Sequence, residues 1–307
     1  MPTGTLRTNQ SALLCSIGNT PLVQITQVFQ SEKIRIFAKC EWFNPGGSVK
    51  DRAAANIISE AEKSGRLSPG KIILDATSGN TGIAFAMIGA MKGYPVELAL
   101  PENASPERKS MLLSYGAKLH ITSPLTGSDG AILKARELVA TDPDRYFYAD
   151  QYSNPANWQA HFNGTAKEIF DVLEGEVTHF VAGIGTSGTF IGTSRGLKER
   201  DSSIKVVSFI PESPLHGMEG LKHLPTAMVP SIYDPSVADQ ELLVETEDAY
   251  SMVRRLAIEE GLLVGPSAAG AVVAAIQVAS NIDRGTIVTV FPDNGLKYLS
   301  EEFWRDA

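Results

Sequence analysis

The feature that most constrains this chain is its alternation of short β-rich runs with segments of helical period. Residues 34–39, 72–76, 96–100, 118–122, 146–149, 178–182, 205–210 and 286–291 read as strands. Between them, 48–64, 81–92, 106–115, 129–140, 155–173, 189–199, 246–260 and 268–280 read as helices. In the first of these, Ala54, Ile57, Ile58 and Ala61 recur at spacings of three and four. Gly65, Gly93, Gly116 and Gly261 follow helices, where a left-handed C-terminal cap is expected. Alternation on this scale predicts an α/β fold with mainly parallel sheets covered by helices on both faces. A length of 307 residues suggests two domains. Such folds bind ligands in loops leaving the carboxyl ends of the strands.

Composition narrows the function classes. The net charge of −8 argues against a nucleic-acid partner, which calls for a basic face. No apolar run approaches a membrane span, since the stretch 262–278 is broken by Gly265, Pro266, Ser267 and Gly270. The first residues carry no apolar signal core, so a cytoplasmic protein is expected. Cys15 and Cys40 are read as reduced thiols. The five histidines are scattered without ligand spacing, and no metal is expected.

Three loops carry the chemistry. In Asn44-Pro45-Gly46-Gly47-Ser48-Val49-Lys50-Asp51-Arg52, Lys50 sits just inside a helix after a Pro-Gly-Gly turn, with Ser48 placed to cap it. A cation there opposes the helix dipole, which lowers its amine pKa toward that of a nucleophile. Thr77-Ser78-Gly79-Asn80-Thr81-Gly82 follows a strand and opens a helix. Its N–H groups and hydroxyls suit a carboxylate, and the Asn80 amide suits a phenolate-type oxygen. Gly183-Ile184-Gly185-Thr186-Ser187-Gly188-Thr189 also follows a strand, and its composition suits a phosphate monoester. The spacing Gly183-x-Gly185-x-x-Gly188 also matches a dinucleotide loop. The acidic partner expected about 20 residues on is misplaced, however: Asp201 precedes the next strand and Glu212 lies beyond it. A lysine for a Schiff base together with a phosphate cradle points to pyridoxal 5′-phosphate. Ser267, ahead of the last helix, is either an N-cap or a neutral partner for a pyridine nitrogen.

These segments, with Asp150-Gln151-Tyr152-Ser153-Asn154-Pro155-Ala156-Asn157 and Asp293-Asn294-Gly295-Leu296-Lys297-Tyr298-Leu299-Ser300, resemble the cysteine synthases. These are β-family (fold-type II) pyridoxal-phosphate enzymes of tryptophan synthase β-like fold. The likeness runs from Ile17-Gly18-Asn19-Thr20-Pro21-Leu22 to Ser300. It implies that Lys50 binds the cofactor as a Schiff base and serves as general acid and base. It also implies that Thr77, Ser78, Thr81 and Gln151 bind the amino-acid carboxylate, and that Asn80 meets the cofactor's 3′ oxygen. Gly185, Thr186, Ser187, Gly188 and Thr189 then hold the phosphate, and Ser267 meets the ring nitrogen. The implied reaction is β-replacement, by way of an aminoacrylate, on O-acetylserine or O-phosphoserine. The sulfur donor is sulfide, thiosulfate or a carrier thiocarboxylate.

Ser187 and the segment His216-Gly217-Met218-Glu219-Gly220-Leu221-Lys222-His223 resemble the B-type members. Lys222 is either a surface lysine or a reader of a phosphate leaving group. After His161 the family's Thr-Thr-Gly-Pro-Glu run is replaced by Asn163-Gly164-Thr165-Ala166-Lys167-Glu168. The expectation is a homodimer in which residues 41–149 form a smaller, mobile substrate-binding domain. Residues 1–40 and 150–307 then form a larger cofactor domain. The alternatives are a cystathionine- or diaminopropionate-forming synthase, or a phosphate-ligand binding protein without catalysis, which would not need Lys50.

Overall fold

The computed structural model describes residues 9–77 and 79–304. Among these described residues, ten strands form two sheets. In the first half of the chain lie β1 (Leu22–Ile25), β2 (Ile34–Cys40), β3 (Ile72–Ala76), β4 (Val96–Pro101), β5 (Lys118–Thr122) and β6 (Tyr146–Tyr148). In the second half lie β7 (His179–Gly183), β8 (Lys205–Pro211), β9 (Gln240–Val244) and β10 (Gly285–Phe291). The helices of the first half are α1 (Asn9–Cys15), α2 (Lys50–Lys63), α3 (Asn80–Lys92), α4 (Pro106–Ser114) and α5 (Gly127–Thr141). Those of the second are α6 (Pro155–Ala160), α7 (Ala166–Val172), α8 (Gly188–Arg200), α9 (Thr246–Glu259) and α10 (Pro266–Ala279).

The smaller sheet has the order β5-β4-β3-β6 and is wholly parallel. The larger has the order β1-β2-β10-β7-β8-β9 and is parallel except for the β1–β2 pair. Central strands are buried on both faces, so β4 and β10 read as nearly continuous apolar runs. Each sheet has a core on either side. In the smaller sheet, α2 and α3 cover one face with Ile57, Ile83 and Phe85, while Ile132 and Ala135 of α5 fill the other. In the larger, α9 and α10 cover one face with Leu256 and Val272, and Ile169, Phe190 and Ile191 of α7 and α8 cover the other.

All eight expected strands form. Two more, β1 and β9, flank the larger sheet, where short, half-exposed segments carry little periodic signal. Gly65, Gly93, Gly116 and Gly261 all take positive φ, as expected of glycines that stop helices. The stretch expected to be one helix over 155–173 is α6 and α7 joined by a π-helical turn at His161–Thr165.

Strand order places the site. β2 and β10 run side by side and parallel, with Cys40 opposite Phe291. The segments that leave them therefore start at the same edge. β7, on the other side of β10, delivers the 183–189 loop there too.

Candidate active site

The turn before Lys50 is held by Asn44. Its Nδ2 donates to the Glu41 carbonyl (2.8 Å) and the Ser48 carbonyl (3.1 Å), while its Oδ1 accepts from the Gly18 N–H (2.8 Å). Gly47 has φ +78°, open to glycine at little cost. Gly46 donates its N–H to Asp51 Oδ2 at 2.5 Å, and a Cβ there would lie 2.6 Å from Asp51 Oδ1. Burial pushes the Asp51 carboxyl up to about 7, although the Gly46 N–H pulls it down. The segment is tied to the end of β10: Val49 N–H donates to the Pro292 carbonyl (2.8 Å), and Ser48 bridges Asp293. Ser48 does not cap the helix in the expected way. Val49, already helical, precedes α2 without a side-chain cap, and the Ser48 hydroxyl accepts only the Lys50 N–H, at 3.3 Å. Lys50 points into the cleft. Burial lowers its amine pKa and Lys297 adds to that, while Asp293 opposes it. Desolvation, rather than the helix dipole, is the main cause.

Beneath this turn lies a buried ionic cluster. Arg52 Nε donates to Glu41 Oε2 (2.6 Å), and its Nη1 and Nη2 reach Glu168 Oε1 (2.6 Å) and Oε2 (2.8 Å). Lys39 Nζ meets Glu168 Oε2 at 2.7 Å. Glu168 closes the segment that departs from the family run. Thr165, in the same segment, bonds His161 Nδ1 at 2.9 Å. Gly164 leaves room for Arg52, whose Nη1 would lie 3.2 Å from a Cβ there. Burial holds His161 well below its usual value, with Arg52 and Lys50 adding to the effect, and its Nε2 lies 3.4 Å from Thr189 Oγ1.

The loop after β7 is shaped by close approach. A Cβ at Gly185 would collide with the Gly220 carbonyl oxygen, and one at Gly188 with Asn157 Oδ1. Asn157 Nδ2 braces the loop by donating to Thr186 Oγ1 (3.1 Å) and to the Gln151 carbonyl (2.7 Å). Ser187 stands in the left-handed region at φ +68° immediately before α8. Its hydroxyl is buried without a hydrogen-bond partner among the described residues. An orphaned hydroxyl at a helix N-terminus, in a cradle that excludes Cβ atoms, fits a phosphate monoester.

Thr77 Oγ1 accepts from the N–H groups of Gly79 and Gly82, each at 3.1 Å. Thr81 donates its hydroxyl to Gln151 Oε1 (2.7 Å), and Gln151 Nε2 donates to the Ala76 carbonyl (2.7 Å). These bonds fix which end of the Gln151 amide is the oxygen. Ser78 lies outside the described residues. Ser267 is the second residue of α10 and lines the cleft, and the N-cap is Gly265, so Ser267 is not the capping residue.

Lys222 is 6% exposed, which removes the surface-lysine reading. Its ammonium lies 3.0 Å from Asp129 Oδ1 and 5.2 Å from the centre of the Tyr152 ring. The structure also brings in side chains to which sequence reasoning gave no role. Arg108, held on α4 by the Ser105 cap and Pro106, stacks over Tyr298 at 5.1 Å and pairs with Glu219. Asn80 Nδ2 donates to Asp293 Oδ2 (2.8 Å), and Lys297 Nζ donates to Asn80 Oδ1 (2.7 Å). Lys50, Asn80, Gly185, Thr186, Glu219 and Gly220 are common to both lobes of one cleft. Thr77, Thr81, Gln151 and Lys222 line one lobe, and Ser187, Thr189 and Ser267 the other. A primary amine, a phosphate cradle, an amide at the ring position and a lone hydroxyl at a helix start together fit pyridoxal phosphate.

Comparison with known proteins agrees. The family described as pyridoxal-phosphate dependent enzyme matches residues 14–293. The chain is 50% identical over 307 residues to a cysteine synthase of Aquifex aeolicus, covering 98% of this chain and 94% of that protein. It is 40% identical over 290 residues to cysteine synthase B of Escherichia coli, covering 94% and 95%. The crystal structure of cysteine synthase from Entamoeba histolytica superposes with a TM-score of 0.92 at 36% identity, covering 99% and 93%.

Proposed function

Because the chain belongs to the pyridoxal-phosphate dependent enzymes, we propose that its cleft makes L-cysteine from O-acetylserine and sulfide, releasing acetate. The observation that carries this reading is the placement of the Lys50 amine between the orphaned Ser187 hydroxyl and the Thr77–Thr81–Gln151 cluster. Lys50 would hold the cofactor through its amine, the 185–189 loop would hold its phosphate, Asn80 its 3′ oxygen and Ser267 its ring nitrogen. When bound, pyridoxal phosphate supplies an electron-withdrawing ring that stabilises negative charge at the substrate's α-carbon.

The chain's own part is positioning and proton transfer. Thr77, Ser78, Thr81 and Gln151 bind the substrate carboxylate. Lys50 Nζ takes the α-proton when it is free and returns it at the end of the turnover. Burial of Lys50 raises the fraction of free amine near neutral pH. Ser267, a neutral partner, leaves the ring less electron-withdrawing than an aspartate would, which suits loss of a β-substituent. We read residues 41–149 as the smaller, mobile domain and the working form as a cytoplasmic homodimer. No described helix is long and apolar enough to cross a membrane.

The test is to add pyridoxal phosphate to the purified protein, record its visible spectrum, and assay cysteine formed from O-acetylserine and sulfide. The expected result is a cofactor band and turnover, with Lys50→Ala losing the band and about a thousandfold in rate. A wild-type protein that takes up no pyridoxal phosphate would overturn the reading.

A further inference from the structure

Asp293 lies two residues past the end of β10. It is 1% exposed. Its Oδ2 accepts from Asn80 Nδ2 at 2.8 Å and from the Tyr298 hydroxyl at 2.9 Å. Its Oδ1 is buried with no hydrogen-bond partner among the described residues, in a space that only a glycine at 265 leaves open. An unbonded carboxylate oxygen out of water is costly unless charge compensates it. The compensation comes from Lys50, Lys297 and Arg108, each of which feels the Asp293 charge.

Asn80 shows what this arrangement does. Its amide is bracketed by opposite charges: the Lys297 ammonium on Oδ1 and the Asp293 carboxylate on Nδ2. The bracket fixes which end of the amide faces which way and leaves one Nδ2–H unused. Lys297 Nζ also donates to the Gly47 carbonyl (3.2 Å), so the bracket is joined to the turn that carries Lys50.

We propose that Asp293 is a positioning residue of this cleft, its carboxylate working with Lys297 to orient the Asn80 amide. The consequence for Asn80 and the cofactor rests on the function proposed above. Lys50 feels the charges of Asp293 and Lys297, both in the segment after β10. Asp51 and Arg52 follow it on its own helix, and Arg108 and Glu219 line the same cleft. Of these, Asp293 is the anion that acts most strongly on Lys50, and it favours the charged amine.

The test uses Asp293→Asn, which keeps shape and removes charge. Acetic anhydride labels Lys50 in the full-length, cofactor-free protein across a pH series, and the rate is read from the mass of the Lys50 peptide. The expected midpoint for Asp293→Asn is about one pH unit below wild type, so about tenfold more free amine at a pH below both midpoints. Pyridoxal phosphate, titrated by its absorbance, should bind at least several-fold more weakly, because Asn80 loses its charged acceptor. Undiminished pyridoxal phosphate binding in Asp293→Asn overturns the proposal. Lys297→Met gives a second reading should Asp293→Asn fail to fold. It removes the other half of the bracket on Asn80, so pyridoxal phosphate should bind several-fold more weakly, and undiminished binding counts equally against the proposal. The two readings fail separately. Wild-type Lys50 that gains no protection from pyridoxal phosphate sinks the proposed function. Protection in wild type with undiminished pyridoxal phosphate binding in the variant sinks only the role of Asp293.

Discussion

The Ser187 hydroxyl is buried and unbonded, in a left-handed backbone position at the head of α8. Removing such a group costs the cofactor-free protein nothing, since no bond is lost, while a phosphate in the cradle would lose a donor. Ser187→Ala should therefore leave the melting temperature of the cofactor-free protein unchanged or slightly raised. It should weaken pyridoxal phosphate binding about tenfold or more, in keeping with a hydrogen bond to a charged group. Equal weakening of both would mean that the hydroxyl serves the loop rather than a ligand. At this scale the sequence is informative where one residue type in one setting carries the chemistry. Lys50 after Pro-Gly-Gly, and Thr186 and Ser187 among glycines, stand out on composition alone. Arg108, Glu219, Asp293 and Lys297 do not, because each acts through a partner tens to hundreds of residues away. Asp293 meets Asn80 across 213 positions. The one signal that could have marked Asp293 and Lys297 is the motif that contains them.

Among the elements, the π-helical turn at His161–Thr165 does the most for the site. It aims His161 at Thr189, and the helix that follows places Glu168 on Arg52 and Lys39. One helix is expected here because a π-helical turn sits inside an α-helix without interrupting it, and the change of hydrogen bonding carries no local residue signal. The rest of the helical layer was legible, since amphipathic periods and glycine stops are local properties. The edge strands β1 and β9 were not, since their pairing is decided by the neighbour strand rather than by their own pattern. Contacts with Arg52 and Lys39 hold the Glu168 carboxyl down at about 2, against burial, which would raise it. A folded-state pKa below the unfolded value gives stability that is complete above about 4.3 and lost as pH falls toward 2. The contribution amounts to about 3 kcal/mol at neutral pH. Urea denaturation of wild type and Glu168→Gln should show a gap at pH 6 that narrows steadily below pH 4.5. A gap that stays constant with pH would mean that the cluster does not depend on the Glu168 charge.

Across the whole molecule, two ion pairs link the four-stranded unit to the long connection between β8 and β9. Arg108 on α4 pairs with Glu219, and Asp129 on α5 pairs with Lys222. Their placement follows from sheet order and the course of that connection, so no local reading of the sequence finds them. The second pair bears on the choice of leaving group. Lys222 is the cation a phosphate ester would seek, but Asp129 already neutralises it, and its ammonium is drawn over the Tyr152 ring. A dianionic phosphate entering there meets the Asp129 carboxylate as well as the lysine, whereas a neutral acetyl group meets no such conflict. Wild type should therefore turn over O-acetylserine faster than O-phosphoserine. Asp129→Asn should raise kcat/KM for O-phosphoserine about tenfold while changing O-acetylserine little, because a freed ammonium gains a phosphate partner. The asparagine Oδ1 can still accept the Met228 N–H, which Asp129 Oδ2 now holds at 3.1 Å, so the fold of the connection should survive. Lys222→Met in the same background should abolish the gain. If the ratio of the two esters does not move in Asp129→Asn, Lys222 does not reach the leaving group, and its pairing with Asp129 serves to hold the two parts of the cleft together.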